Sequence, residues 1–203
     1  MHPASTDFFL LESDAPSKRE ILRCALHLFV RDGLCETSIR DIAKASGFTN
    51  PALYKFFESK EGLALHLFER CYLRLVSAVR DSQRRADFAT DLDSLLEAYA
   101  GLVDENLEAV LFVNDTLRQF WRKLPRETRQ HSLIGEVRAL IQLGKRTHSV
   151  PPALDEDLAA AMLLGAMGQI ARMAYFGEVE RPLTAQLPQL RLLFRRGLQE
   201  TST

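Results

Sequence analysis

Asn50, Tyr54 and Lys55 fall within six residues, and with Ala52 between them they can present an amide, a phenol and an ammonium on one short surface. Those groups suit a DNA duplex. Asparagine can pair bidentately with adenine, lysine can reach guanine O6 and N7 or a phosphate, a tyrosine hydroxyl can anchor on the backbone, and a small Ala52 lets a helix approach closely. No other grouping in the sequence offers comparable chemistry. There is no phosphate-binding glycine loop, no metal-spaced cluster and no Ser/His/Asp arrangement, and His66, His131 and His148 are scattered. His27 reads as a partly exposed structural residue. The expectation is a protein that is not an enzyme and needs no cofactor.

Presenting those side chains requires two short helices at a fixed angle, and the punctuation for that is present. Ser38 can cap a helix running from Ile39, with Asp41 adding a carboxylate in the first turn, where the helix dipole favours it. Gly47 can take the left-handed conformation that ends it, and Phe48 can then drop into the core. Thr49 is placed to cap the next helix, and Pro51 falls in that helix's first turn, where its missing N–H costs nothing. From Asn50 to about Phe57, Leu53, Phe56 and Phe57 fall on one side, leaving Asn50, Ala52, Tyr54 and Lys55 outward. A preceding helix is predicted from Ser17, which with Glu20 makes a capping box, through Ile21, Leu22, Ala25, Leu28 and Phe29 to Gly33. Ser59 caps a long helix from Lys60 to about Ser82, whose first residue suits a phosphate. Spacing alone also allows a plain helical hairpin that never meets DNA.

The joint pattern narrows this. Thr37-Ser38, Ile42-Ala43, Gly47-Phe48, Thr49, Leu53-Tyr54, Phe57 and Ser59-Lys60-Glu61 resemble the N-terminal domain of the TetR family of bacterial transcription regulators, from about Ser17 to Phe68. Phe56 departs from the His or Tyr often found at its position. The resemblance implies an all-α, nine-helix fold: a three-helix helix-turn-helix domain over residues 17–60, after an arm over 1–16, and a larger effector-binding and dimerisation domain over 61–203. The residues then expected to face double-stranded DNA are Thr37, Ser38, Arg40, Thr49, Asn50, Pro51, Ala52, Tyr54, Lys55 and Lys60.

Composition agrees with such a reading. The chain has 203 residues, 46% of them hydrophobic, enough for a substantial core. Its net charge is -1, yet residues 17–60 hold eight Lys/Arg against five acids, a mildly basic head on an acidic remainder. Cys24, Cys35 and Cys71 lack disulfide or zinc spacing and are expected to be reduced in a cytoplasm, with Cys35 the most exposed and the candidate for redox sensing. No stretch reads as a membrane span, and no export signal is apparent. Met1 to about Pro16 reads as a mobile arm; the alternative lays Phe8-Phe9-Leu10-Leu11 on the body or brings the arm near DNA.

Beyond Asp91 the pattern stays helical: Leu92 to about Glu105, Leu107 to Lys123, Pro125 to about Thr147, one from Asp155 rich in Ala, Gly and Met, and a last from Thr184 to about Glu200. The resemblance implies that the last two helices pair with a second copy, with Met162, Gly165, Leu187, Leu190, Leu193 and Phe194 at the interface; alternatively they finish one subunit's core. Two reading heads would then match an inverted-repeat operator. The resemblance also implies a small hydrophobic effector, with Tyr99, Phe112, Asn114, Phe120, Trp121, Met162, Gln169 and Met173 as candidate lining, and repression relieved when the helix from Lys60 swings. A constitutive or partner-regulated DNA-binding protein, its core filled by its own side chains, is the alternative.

Overall fold

The computed structural model describes residues 7–83 and 87–198. The protein is all-α, with no strand among the described residues. Its helices are α1 (Pro16–Arg31), α2 (Ile39–Ser46), α3 (Asn50–Tyr54), α4 (Lys60–Ser82), α5 (Phe88–Phe120), α6 (Arg126–Gln130), α7 (Leu133–Arg146), α8 (Glu156–Tyr175) and α9 (Leu187–Leu198). The helices expected at 92–105 and 107–123 are two halves of α5, which kinks where Asn106 leaves helical geometry at φ -154°, ψ 88°. The one expected from Pro125 is instead divided. Ser132 caps α7 by accepting from the Gly135 amide at 3.1 Å, so a new helix starts where the periodicity alone runs on. The last helix ends at Leu198 among the described residues; its expected end at Glu200 lies outside them.

The chain forms two compact units: residues up to Arg74 with Glu108–Pro125, and Leu75–Leu107 with Arg126–Thr203. These divisions differ from the expected break after residue 60.

In the first unit, α1 presents Ile21, Leu22, Ala25, Leu26 and Phe29 inward, and α2 and α3 close over that stripe with Ile42, Ala43 and Leu53. Aromatic rings from α4 and the end of α5 complete this core. Phe29 stacks on Phe112 with ring centroids 5.8 Å apart, Phe68 lies 5.4 Å from Phe120, and Tyr72 meets the Trp121 ring edge-on at 5.7 Å. Of the candidate effector lining from sequence, Phe112 and Phe120 are buried in this core, and Trp121, partly exposed, packs its ring on Tyr72.

The arm also departs from expectation. Its first six residues lie outside the described ones, but residues 7–15 are packed: Phe9 is 1% exposed, Arg70 donates to the Phe9 carbonyl at 3.2 Å, and Arg23 donates to the Asp7 carboxylate at 2.6 Å. The expected Ser17–Glu20 box does not form. Ala15 holds the N-cap position of α1, Pro16 opens the helix, and Glu20 accepts instead from Arg23 and Cys24.

In the second unit, α7 packs on α8, and Val137, Leu140 and Ile141 of the one and Ala159, Ala160 and Leu163 of the other are buried. Asp155 caps α8 by accepting from the Asp157 and Leu158 amides, both at 2.9 Å. Asp104 holds the entry to the last helix, accepting from the Leu183 amide at 2.6 Å and from the Thr184 amide and hydroxyl at 2.9 and 2.8 Å. α9 then buries Leu187, Leu190, Phe194 and Leu198 in this same unit. By length and composition α8 is apolar enough to cross a membrane, contrary to expectation; six of its residues are buried in the unit's core.

Candidate nucleic-acid interface

The reading pair is built as its local sequence dictates. At the start of α2 the Asp41 amide donates to Ser38 Oγ at 3.2 Å and the Ser38 amide donates back to the Asp41 carboxylate at 2.9 Å, a reciprocal box that satisfies two free donors. The hydrogen bonds from Ser38 hold the Asp41 carboxyl below its ordinary range. Gly47 ends α2 at φ 74°, a left-handed conformation in which a side chain would be strained. Thr49 stands at the N-cap of α3, but its side chain makes no capping bond.

α3 has only one apolar anchor of its own, the fully buried Leu53. The chain then turns so that the Phe56 and Phe57 amides both donate to the Leu53 carbonyl at 3.0 Å. Phe57 is buried, but Phe56 is half out in solvent rather than in the core: with Leu53 and Phe57 four residues apart on the inner side, the intervening position is turned away. The outer side carries Thr49, Asn50, Pro51, Tyr54 and Lys55, all exposed, with Tyr54 at 53% and Ala52 partly covered. Ser38 and Arg40 are exposed on α2. So is Lys44, a cation that the motif does not single out although the excess of basic residues over 17–60 contains it.

Two expected contacts are differently employed. Thr37 is 2% exposed, and its hydroxyl donates to the Gly33 carbonyl at 2.8 Å, tying the end of α1 to the entry of α2; it does not face outward. Lys60 is partly buried, and its Nζ donates to the Leu34 and Cys35 carbonyls at 2.8 and 3.3 Å. The ammonium thus pins the turn after α1 to the start of α4, with one of its three donors left over. At the same helix end, Ser59 Oγ accepts from the Gly62 amide at 3.0 Å.

Behind α3 the Phe57 ring lies 5.4 Å from the His66 ring of α4, whose Nε2 is buried with no hydrogen-bond partner. Burial pushes the His66 pKa down to about 4, and the positive charges of Arg70 and Lys18 add to this. The unfolded chain therefore binds a proton that the folded one refuses between about pH 6.5 and 4, and stability falls as pH is lowered through that window. The urea midpoint should drop between pH 7 and 5, and His66→Leu should flatten that drop. The expectation fails if both proteins lose stability in parallel.

The three cysteines sit in different surroundings. Cys35 is exposed, as expected; burial raises Cys24 to about 11, with the Glu20 carboxylate adding to the effect, and burial pushes the Cys71 thiol up. His27 pairs with Glu108 at 2.7 Å on the surface. No group of three or more potential metal ligands occurs among the described residues.

The candidate effector-lining residues divide between the two units, Phe112, Asn114, Phe120 and Trp121 in the first and Tyr99, Met162, Gln169 and Met173 in the second. Asn114 and Gln169, favoured because an amide inside a core needs a partner, are both exposed, and Gln169 accepts from Arg172 at 3.0 Å. Tyr99 is buried and donates to the Met167 carbonyl; Met162 is exposed and Met173 partly covered. Of the expected interface residues, Leu187, Leu190 and Phe194 belong to the second unit's own core, whereas Met162, Gly165 and Leu193 are exposed.

Comparison with known proteins reaches the same site. The family described as bacterial regulatory proteins, tetR family, matches residues 21–67. A curated relative, the uncharacterized HTH-type transcriptional regulator YfiR of Bacillus subtilis (strain 168), is 25% identical over 193 residues, covering 89% of this chain and 91% of that protein. Among solved structures, the ketosteroid transcriptional regulator KstR2 of Mycobacterium tuberculosis superposes with a TM-score of 0.77 at 22% identity, covering 95% of this chain and 98% of that one. The transcriptional regulator FadR of Bacillus subtilis, solved with stearoyl-CoA, gives 0.67 at 17% identity, covering 89% and 99%. The matched segment spans the capped α2, the Gly47 corner and the outward face of α3, so residues 21–67 match the helix-turn-helix domain of the tetR family of bacterial regulatory proteins.

Proposed function

We propose that the protein is a cytoplasmic homodimeric repressor that binds an inverted-repeat operator and is released by a small hydrophobic effector. The outward face of α3 carries this reading: Asn50, Tyr54 and Lys55 stand free on a helix whose other side is anchored by Leu53. An amide and an ammonium at the centre of that face read bases, and Tyr54 with the uncapped Thr49 hydroxyl holds phosphates.

A two-fold partner follows from how little one such helix can read, and α8 and α9 supply a surface for it. Leu158, Met162 and Gly165 recur along one exposed face of α8, with Leu158 at 70%, and Leu192 and Leu193 are exposed on α9. Met162 lies against Gly197, so the two faces adjoin. An apolar strip of this kind suits an isologous contact with a second copy.

The effector class is supported by the solved relatives, one of them named for ketosteroid regulation and the other holding stearoyl-CoA. To turn the protein from mostly bound to mostly released, the effector must prefer the released state by about 5.5 kcal/mol. One observation favours the alternative of a regulator without an effector: Phe112, Phe120 and Trp121 are spent on Phe29, Phe68 and Tyr72.

Selection of duplexes from a random-sequence pool by the full-length protein, at stated salt, tests the reading. An enriched inverted repeat supports it; enrichment of a single half-site overturns the dimer, and no enrichment with or without added acyl-CoA or steroid overturns the repressor.

A further inference from the structure

We propose that Asp14 is a positioning residue for the reading helix, making the docking of residues 7–14 a condition for the placement of α3. The proposal rests on the reading of α3 as the DNA-facing helix.

Asp14 is an acidic side chain in a segment whose sequence suggests no role, yet it is 8% exposed and satisfied on every side. Arg70 of α4 grips it with both terminal guanidinium nitrogens, the second at 3.1 Å. The Leu11 amide donates to it at 3.1 Å, closing the arm into a turn, and Lys18 of α1 lies 3.0 Å away. The Arg70 guanidinium, above all, holds this carboxyl well below the usual carboxylate range. One carboxylate thus joins the arm, α1 and α4.

The connection continues to α3. The Lys18 ammonium that pairs with Asp14 also sits 5.8 Å from the centre of the Phe57 ring, and His66 covers another side of that ring. Phe57 is the residue on which the chain leaves α3, bonded through its amide to the Leu53 carbonyl. The position of the ring therefore bears on the exit of a helix only five residues long, whose one buried residue of its own is Leu53. Without the Asp14 carboxylate, Arg70 and Lys18 would be two cations facing one another across a partly buried site, and Lys18 would leave the ring for water.

The arm is what keeps Asp14 there. Phe9 is buried and its carbonyl takes a second bond from Arg70, Phe8 lies 5.8 Å from the Arg74 guanidinium, and Asp7 is held by Arg23. These contacts place the arm across α1 and α4, the two helices that support Phe57.

Hydrogen exchange of the full-length protein at neutral pH, read by peptide, tests this with Asp14→Asn and Lys18→Met. Both variants should speed exchange in the Thr49–Phe57 peptide about three- to tenfold and leave α8 peptides unchanged. Faster exchange confined to residues 7–18 overturns the proposal. If Asp14→Asn accelerates every peptide, Lys18→Met decides, since it removes the ammonium from the Phe57 ring and leaves the seat of Phe9 intact; uniform or absent acceleration in that variant also overturns it. A wild-type protein that binds no duplex would sink the DNA reading while leaving the exchange result to stand.

Discussion

Asn50→Ala is expected to weaken binding to the selected operator by about 1–3 kcal/mol, roughly five- to 150-fold, and to relax preference at one position in each half-site. The amide stands exposed at the first residue of α3; in the docking proposed above it meets a base edge, so its loss removes a donor and an acceptor there without touching the core. Tyr54→Ala should behave differently. A hydroxyl used on the backbone contributes to every sequence alike, so affinity should fall by a similar factor on all duplexes with the selected motif unchanged. Titrating both variants against the selected duplex and one with that position altered separates the cases. If Tyr54→Ala bound as tightly as wild type at matched salt, the docking of α3 proposed above would be wrong.

The second large effect concerns assembly. Leu193→Asp places a carboxylate on the most exposed part of the α9 strip, and the dimer should weaken by a hundredfold or more, since an unpaired charge in an apolar contact costs about 3 kcal/mol or more. Sedimentation across a concentration series should show the variant as a monomer whose helix content and thermal midpoint stay near those of its own folded chain. Leu190→Asp is the contrast. That residue is buried within its own subunit, and the same change there should unfold the second unit instead. A Leu193→Asp protein that still sediments as a dimer would remove α9 from the interface.

What could be read from sequence was what is decided over three or four residues. The Ser38 cap with Asp41 in its first turn, the left-handed Gly47, the Ser59 cap and the helix start at Asp155 each depend on neighbours in the chain, and each stands where the pattern indicates. Misreadings came where a competing group intervened. Glu20 had the right spacing to close a box with Ser17, but Pro16 begins the helix and Arg23 takes the carboxylate. Thr37 looks like a surface hydroxyl until the carbonyls at the end of α1 draw it in. Periodicity also says which residues share a face but not what covers it. Hence Leu187, Leu190 and Phe194 proved to be core while their neighbours Leu192 and Leu193 are bare, and the amides of Asn114 and Gln169 lie outside. The packed arm had no local signal, because Asp14 is fixed by an arginine 56 residues away.

The aromatic pairs that join α1 and α4 to the end of α5 bear on transplantation. A chimera that grafts residues 17–60 onto another regulator would carry the reading helix but strip Phe29 of Phe112, and would leave Phe68 and Phe120 behind altogether. A portable head must be cut as two pieces of chain, one reaching Arg74 and the other spanning Glu108–Pro125. Recombination at a single crossover faces the same restriction, since it cannot move both pieces together.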